Sequence, residues 1–238
     1  NTKKGIYKWN EQSKTFDKEK ASEQVILFFP IDSVKRDTIC FELADYITQA
    51  YSSRPELPIS GKIRILTNNH KIFTVLHSAN ITNNLPENIH TTAEGNDYSV
   101  KFSLNRTQSG NNGNLSIDFS LWNNGFDAIS AEVRAQIKYS RQGYFFKTIN
   151  FKIKLIDHHV TGNINYSAID PTSADYISSF NSNSSILLFE GNDQVGSIVL
   201  NKTNNGELLD YFIRFSNGDE VLLNQYIPLL NQLLNLKY

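Results

Sequence analysis

Between Asp97 and Ile156 hydrophobic and polar residues alternate in four successive segments. Val100, Phe102 and Leu104 alternate with Ser99, Lys101 and Ser103, and Leu115, Ile117, Phe119 and Leu121 alternate with Ser116, Asp118 and Ser120. Ile129, Ala131, Val133, Ala135, Ile137 and Tyr139 form a third series, and Ile149, Phe151, Ile153 and Leu155 a fourth. Gly110-Asn111-Asn112-Gly113, Asn123-Asn124-Gly125 and Arg141-Gln142-Gly143 punctuate them. A period of two marks strands with one buried and one wet face, and turns this short join antiparallel neighbours. The stretch predicts a β-meander.

The same pattern continues on both sides. Gly5–Asn10 and Val25–Phe29 are strand candidates that could pair as a hairpin, with Glu11–Lys20 as a loop between them. Thr38–Tyr51 predicts a strand bending at Ala44-Asp45, and residues 52–60, with Pro55 and Pro58, predict a loop. Lys62–Thr67 and Lys71–Ile81 form a hairpin about Asn68-Asn69. The fourth meander strand is expected to run on as far as Asn165. Asp170 and Pro171 are placed to cap and open a short helix over Thr172–Phe180. Two further hairpins turn at Gly191-Asn192-Asp193 and Asn217-Gly218, and Leu229, Leu230, Leu233 and Leu234 make a helical stripe within 227–236.

The fold class expected is therefore mainly β (α+β): a large antiparallel meander sheet, curled or barrel-like, with a C-terminal helix packed on its apolar face. One β-rich domain over residues 1–238 is expected, its segment 1–20 partly flexible and 52–60 the weak alternative boundary. If the sheet closes, Phe28, Phe102, Phe119, Phe151 and Phe180 either line an apolar cavity or fill it.

Charge changes this picture little. Twenty-three Lys and Arg balance 24 Asp and Glu, so no global field points to nucleic acid or a membrane surface. The single cysteine, Cys40, lies in an apolar run and reads as a small buried hydrophobe. No apolar run approaches the roughly 20 residues of a spanning helix. The chain begins at Asn1 and contains no methionine, so a processed product is expected, with any signal peptide or lipid-attachment cysteine removed upstream.

Candidate chemistry is sparse. His158 and His159 are adjacent and would point to opposite faces of a strand, and His70, His77 and His90 are scattered, so no metal site is expected. No Gly-x-Ser-x-Gly motif is present, and Asp118, Glu132 and Asp157, which could meet as an acid/base pair, read more plainly as surface charge. Arg134, Lys138, Lys152 and Lys154 share one face by parity, either as an anion-binding patch or as a lysine-solvated surface. That face lacks interleaved aromatics, which argues against nucleic acid. Trp122 and Tyr144, beside turns rich in amides, suit sugar stacking, although Trp122 equally suits satellite core. Asn80 and Asn114 head Asn-x-Ser/Thr sequons that follow from the abundance of asparagine.

The opening Gly5-Ile6-Tyr7-Lys8-Trp9-Asn10 followed by Phe16-Asp17 forms one part of a wider pattern. It continues in the strand ending Phe28-Phe29-Pro30, and in Tyr211-Phe212-Ile213-Arg214-Phe215 with Asn217-Gly218-Asp219 and a Leu-rich close. In pattern and order this resembles a group of exported lipoproteins of unknown function from Bacteroidota. The resemblance implies an extracytoplasmic protein tethered by a lipid on a cysteine upstream of Asn1, and it transfers no active site. Asp32-Ser33-Val34 and Asp37-Thr38-Ile39 resemble the O-glycosylation signal of such proteins, which makes Ser33 and Thr38 candidate sites.

The resulting expectation is a non-catalytic exported lipoprotein without cofactor, a ligand- or glycan-binding module at the cell envelope. The alternative is a structural or assembly component of an envelope complex, with a hydrolase a distant third. Expected partners are the membrane through the lipid anchor, and a glycan, an apolar small molecule or an envelope protein, but not nucleic acid. The expected location is outer-membrane-attached, periplasmic or surface-exposed.

Overall fold

The computed structural model describes residues 4–30, 38–51, 54–68, 70–82, 85–140, 143–203 and 209–227. The protein is mainly β, 75% strand, in one open mixed meander sheet of 16 strands. The strands are β1 (Gly5–Asn10), β2 (Thr15–Lys20), β3 (Val25–Pro30), β4 (Thr38–Tyr51), β5 (Arg54–Thr67), β6 (His70–Thr82), β7 (Leu85–Gly95) and β8 (Tyr98–Ser109). They continue as β9 (Asn112–Asn123), β10 (Phe126–Ser140), β11 (Gly143–Leu155), β12 (His158–Ile164), β13 (Ser184–Glu190), β14 (Asp193–Lys202), β15 (Leu209–Arg214) and β16 (Glu220–Leu222). A 3₁₀ turn (Tyr166–Ala168) and two short helices, α1 (Tyr176–Ser182) and α2 (Leu223–Tyr226), complete the described elements.

Turn chemistry enforces this order. Asn124 and Gly125 both adopt positive φ, 50° and 82°, the backbone of a type I′ hairpin turn whose twist matches its flanking strands. The Asn124 N–H donates to the Asp97 carbonyl at 2.7 Å, setting the β9–β10 turn beside the β7–β8 turn. Asn68 (φ 49°) turns β5 into β6. The bend at Ala44-Asp45 is a bulge, with Asp45 at φ 52°.

Four points of the expected fold are decided by the structure. First, the closure left open as a condition does not occur: among the described residues the sheet is open, with β2 and β16 as its edges. Of the five phenylalanines, Phe28, Phe102 and Phe119 belong to one compact unit and Phe151 and Phe180 to another. Second, β1 and β3 do not form an antiparallel hairpin; they run parallel, Tyr7 beside Leu27. The segment expected as a loop holds β2, which pairs antiparallel with β1 from Lys20 to Thr15. This arrangement puts the apolar β3 inside the sheet, between β1 and β4, and the charged Asp17-Lys18-Glu19-Lys20 at the edge, where charge deters further pairing.

Third, residues 54–60 are strand, not loop. Pro58 pairs with Thr48 of β4, and pairing with β6 begins at Ser60, so the missing N–H of proline interrupts no second ladder. Fourth, the final meander strand ends at Leu155, and Ile156-Asp157 turns it back into β12. The terminal helix expected over 227–236 lies beyond Ile227, outside the described residues. The helix seen before it is the four-residue α2.

Two compact units divide the chain: Asn1–Arg106 with Ile117–Ala128, and Thr107–Ser116 with Ile129–Tyr238. In the first, the buried residues among those described are Gly5, Cys40, Ala44 and Thr74. Trp9, Phe16 and Phe29 meet edge to face across its outer strands, with centroids 5.2 and 6.4 Å apart. In the second unit, Ile164, Ile186, Leu188, Ile198, Leu200 and Ile213 form a contiguous core that Phe180 of α1 and Ile227 cover. Helix α1 is fixed by the Asn181 amide, which donates to the Leu200 carbonyl and accepts from the Leu200 N–H, each at 2.9 Å. Residues Ser184–Ile186 have no partner in the β13–β14 register, and Asn181 supplies the ladder bonds that Leu200 lacks on that side.

Candidate functional site

The residues singled out from the sequence do not converge. Trp122 belongs to the first unit, exposed at the end of β9. The basic face of β10 and β11 exists, but the register sets Lys152 opposite Glu132 and Lys154 opposite Ser130, so an acid lies within the basic series. Lys138 lies over the Phe145 ring at 5.8 Å, while Tyr144 pairs with Tyr139 and meets Phe146 edge to face. Adjacent positions on β11 alternate, so Tyr144 and Phe145 face opposite sides.

The two histidines diverge as strand parity requires. His158 meets Tyr226 edge to face at 6.1 Å, and His159 stacks flat on Phe189 at 4.5 Å. Among the described residues no three His, Cys, Asp or Glu are grouped to hold a metal. Cys40 is buried, and burial first, then Glu42, pushes its thiol pKa up against the opposing pull of Arg64. Ser33 lies outside the described residues. Thr38 opens β4, where its N–H donates to the Asn68 side chain at 3.3 Å.

A different constellation assembles on the core of the second unit. Tyr166 comes from the 3₁₀ turn after β12, Tyr176 from the start of α1, and Tyr211 from β15 opposite Leu200. Phe180 carries the group: its ring centroid is 6.3 Å from both Tyr176 and Tyr211. Tyr166 and Tyr211 remain 40% and 43% exposed, so part of each side chain is open to solvent. The phenols feel one another. Partial burial and then the Tyr166 and Tyr176 phenols raise the Tyr211 pKa, and burial followed by Tyr176 raises that of Tyr166.

The loop presenting Tyr166 is pinned by asparagines. The Asn165 N–H donates to the Asn183 carbonyl at 2.8 Å, and the Asn183 amide donates to Ala168 and Ser179 carbonyls at 3.3 and 2.9 Å. Asp170 is no helix cap. It closes a local turn by accepting from the Thr172 N–H and hydroxyl, at 2.9 and 2.7 Å, and those bonds, the hydroxyl first, lower its pKa.

Chemically the patch offers aromatic rings that carry phenolic hydroxyls. Phenols with raised pKa stay protonated near neutrality, which suits hydrogen bonding and disfavours a phenolate nucleophile or base. Sequence reasoning missed the group because its members lie 10 and 35 residues apart on three kinds of element. The available signal was two tyrosines flanking a predicted helix start, Tyr166 and Tyr176.

No family model matches the chain, and no curated protein or solved structure matches it.

Proposed function

We propose that this protein is a non-catalytic glycan-binding module of the cell envelope, exported and lipid-tethered upstream of Asn1. The tyrosine patch carries the binding half of the reading: Tyr176 packs against the core, Tyr211 meets the core residue Phe180, and Tyr166 lies beside them, so amphipathic rings gather at one place, the composition that saccharide surfaces require. The envelope half rests on the sequence resemblance at the two ends of the chain. The edges of the sheet favour this reading over assembly by strand addition, since β2 is heavily charged and β16 is three residues long.

The test is titration of the full chain with neutral envelope-type oligosaccharides on a glycan array, followed by calorimetry on the best binder. Tyr211→Ala and Tyr166→Ala are each expected to weaken binding about tenfold or more, the value of roughly 1.4 kcal/mol at one anchor. Trp122→Ala is expected to leave it unchanged. Wild-type protein that binds no glycan, or tyrosine variants that bind as wild type, would overturn the proposal.

A further inference from the structure

Strand β11 carries a bulge whose consequence is local and chemical. Thr148 pairs with Gln136 and Phe146 with Ile137, so Lys147 between them has no cross-strand partner. Bulges re-aim a side chain. Here the ammonium is directed to the tip of the β8–β9 hairpin, where Nζ donates to Asn112 Oδ1 at 3.4 Å. The hairpin is held in place because the Tyr139 N–H donates to the Asn111 carbonyl at 2.9 Å. Gly113 permits the close approach: a Cβ there would lie 2.6 Å from the Thr107 carbonyl and 2.8 Å from the Tyr139 ring.

Between these elements lies a cleft of about 370 Å³. Its lining includes Thr107, Asn112, Asn114, Gln136 and Lys147, and all of its lining residues belong to the second unit. The volume falls within the roughly 300–1,000 Å³ of ligand pockets. Among the described residues that line it, six of nine carry an amide or a hydroxyl, Lys147 is the one cation, and there is no carboxylate.

We propose that this cleft binds a sugar unit bearing one carboxylate, a uronic acid, with Lys147 as its counter-charge. Side-chain amides donate and accept at once, which matches vicinal hydroxyls, and a single ammonium matches a single negative charge. A phosphate would bring roughly −1.5 to −2 charges and is better met by arginine forks or converging backbone N–H groups. The choice of a sugar rests on the glycan-binding reading, but the cleft shares no residue with the tyrosine patch.

The test is a ¹H–¹⁵N titration of the full chain with sodium glucuronate, and with glucose as the uncharged probe. Glucuronate is expected to shift the side-chain amides of Asn112, Asn114 and Gln136 saturably, and glucose at equal concentration to shift them at least tenfold less. Lys147→Met is expected to weaken glucuronate binding about tenfold or more and Lys147→Arg to restore most of it, with amides remote from the cleft unchanged as the check on folding. Asn114→Ala supplies an independent weakening should Lys147→Met perturb the hairpin. Equal response to the two probes, unmoved cleft amides, or binding that survives Lys147→Met would overturn the proposal. Tyr211→Ala is expected to leave the cleft response intact, so failure here and failure of the tyrosine patch are read separately.

Discussion

The unit formed by Asn1–Arg106 and Ile117–Ala128 and the unit formed by Thr107–Ser116 and Ile129–Tyr238 are built from the same alternating strands, yet they bury different amounts of them. In β3 of the first unit every residue from Val25 to Pro30 is half-buried, whichever face it occupies. In β14 of the second unit, Ile198, Val199 and Leu200 are all buried, and Ile213 on the neighbouring β15 is fully so. Strand periodicity is common to both, and what differs is a second layer. Phe180 and Ile227, delivered by segments outside the ladder, turn one face of the second unit into a core. The lesson is that a meander pattern specifies pairing, while burial depends on what the non-strand segments bring to the face. The first unit relies more on ladder hydrogen bonds and cross-strand pairs such as Ile63 with Leu43 and Val75.

The comparison breaks first at those side chains. Ile213→Ala is expected to cost about 2–5 kcal/mol, because the atoms it removes leave a cavity in the core between β15 and the covering residues. Ile63→Ala, half-buried on β5, is expected to cost about 1–2 kcal/mol, since part of the lost area was already wet. Native-state hydrogen exchange assigns each loss to its own unit, and amides of the first unit are expected to open at lower free energy. Equal costs at the two positions would mean that the first unit is covered as well as the second.

The fold was legible where turn residues carry backbone constraints. Asn124-Gly125, Asn68 and the Ala44-Asp45 bend all stand where their chemistry places them, because positive φ is tolerated by few residue types. Legibility failed at β2, whose Asp17-Lys18-Glu19-Lys20 reads as loop: an edge strand needs one partner and no apolar face. It failed again at residues 54–60, where Pro55 and Pro58 signal a break unless the one-sided pairing is known. The candidate sites were less legible than the fold. Tyr166, Tyr176 and Tyr211 come together through the placement of α1, which periodicity within strands does not encode. Lys147 left a trace, since Phe146 and Ile149 lie three apart on the apolar face and break the period of two.

Ile156 offers a smaller test. It adopts φ 55° in the β11–β12 turn, a conformation that costs a β-branched residue roughly 1–2 kcal/mol. The side chain is more than half exposed, which limits what packing returns. Ile156→Asn is expected to stabilise the second unit by about 1 kcal/mol, read as a higher midpoint in urea. This turn was invisible in the sequence for the same reason that the substitution should help: the residue contradicts its backbone. A lower midpoint would show that the isoleucine contributes contacts outweighing its strain.

The smallest expected effect separates packing from charge in the second unit. Glu220 on β16 accepts from the Asn201 amide at 2.9 Å and from Arg214 Nε at 2.8 Å, and its Oε1 lies 2.7 Å from Arg214 Nη2. The Asn201 hydrogen bond first, and then Arg214, hold its pKa below the usual carboxylate value despite some burial. A carboxylate depressed in the folded state adds stability above its unfolded pKa and loses it as the pH falls through the folded pKa. Glu220→Gln is therefore expected to be less stable than wild type near neutrality by under about 1 kcal/mol, the scale of a partly exposed pair. The two stability curves should converge in acid, once Glu220 is protonated in both the folded and unfolded states. Convergence would assign the difference to charge. A constant gap down to low pH would assign it to the shape and hydrogen bonding of the side chain, which would bring β16 closer to the packing logic of the core it borders.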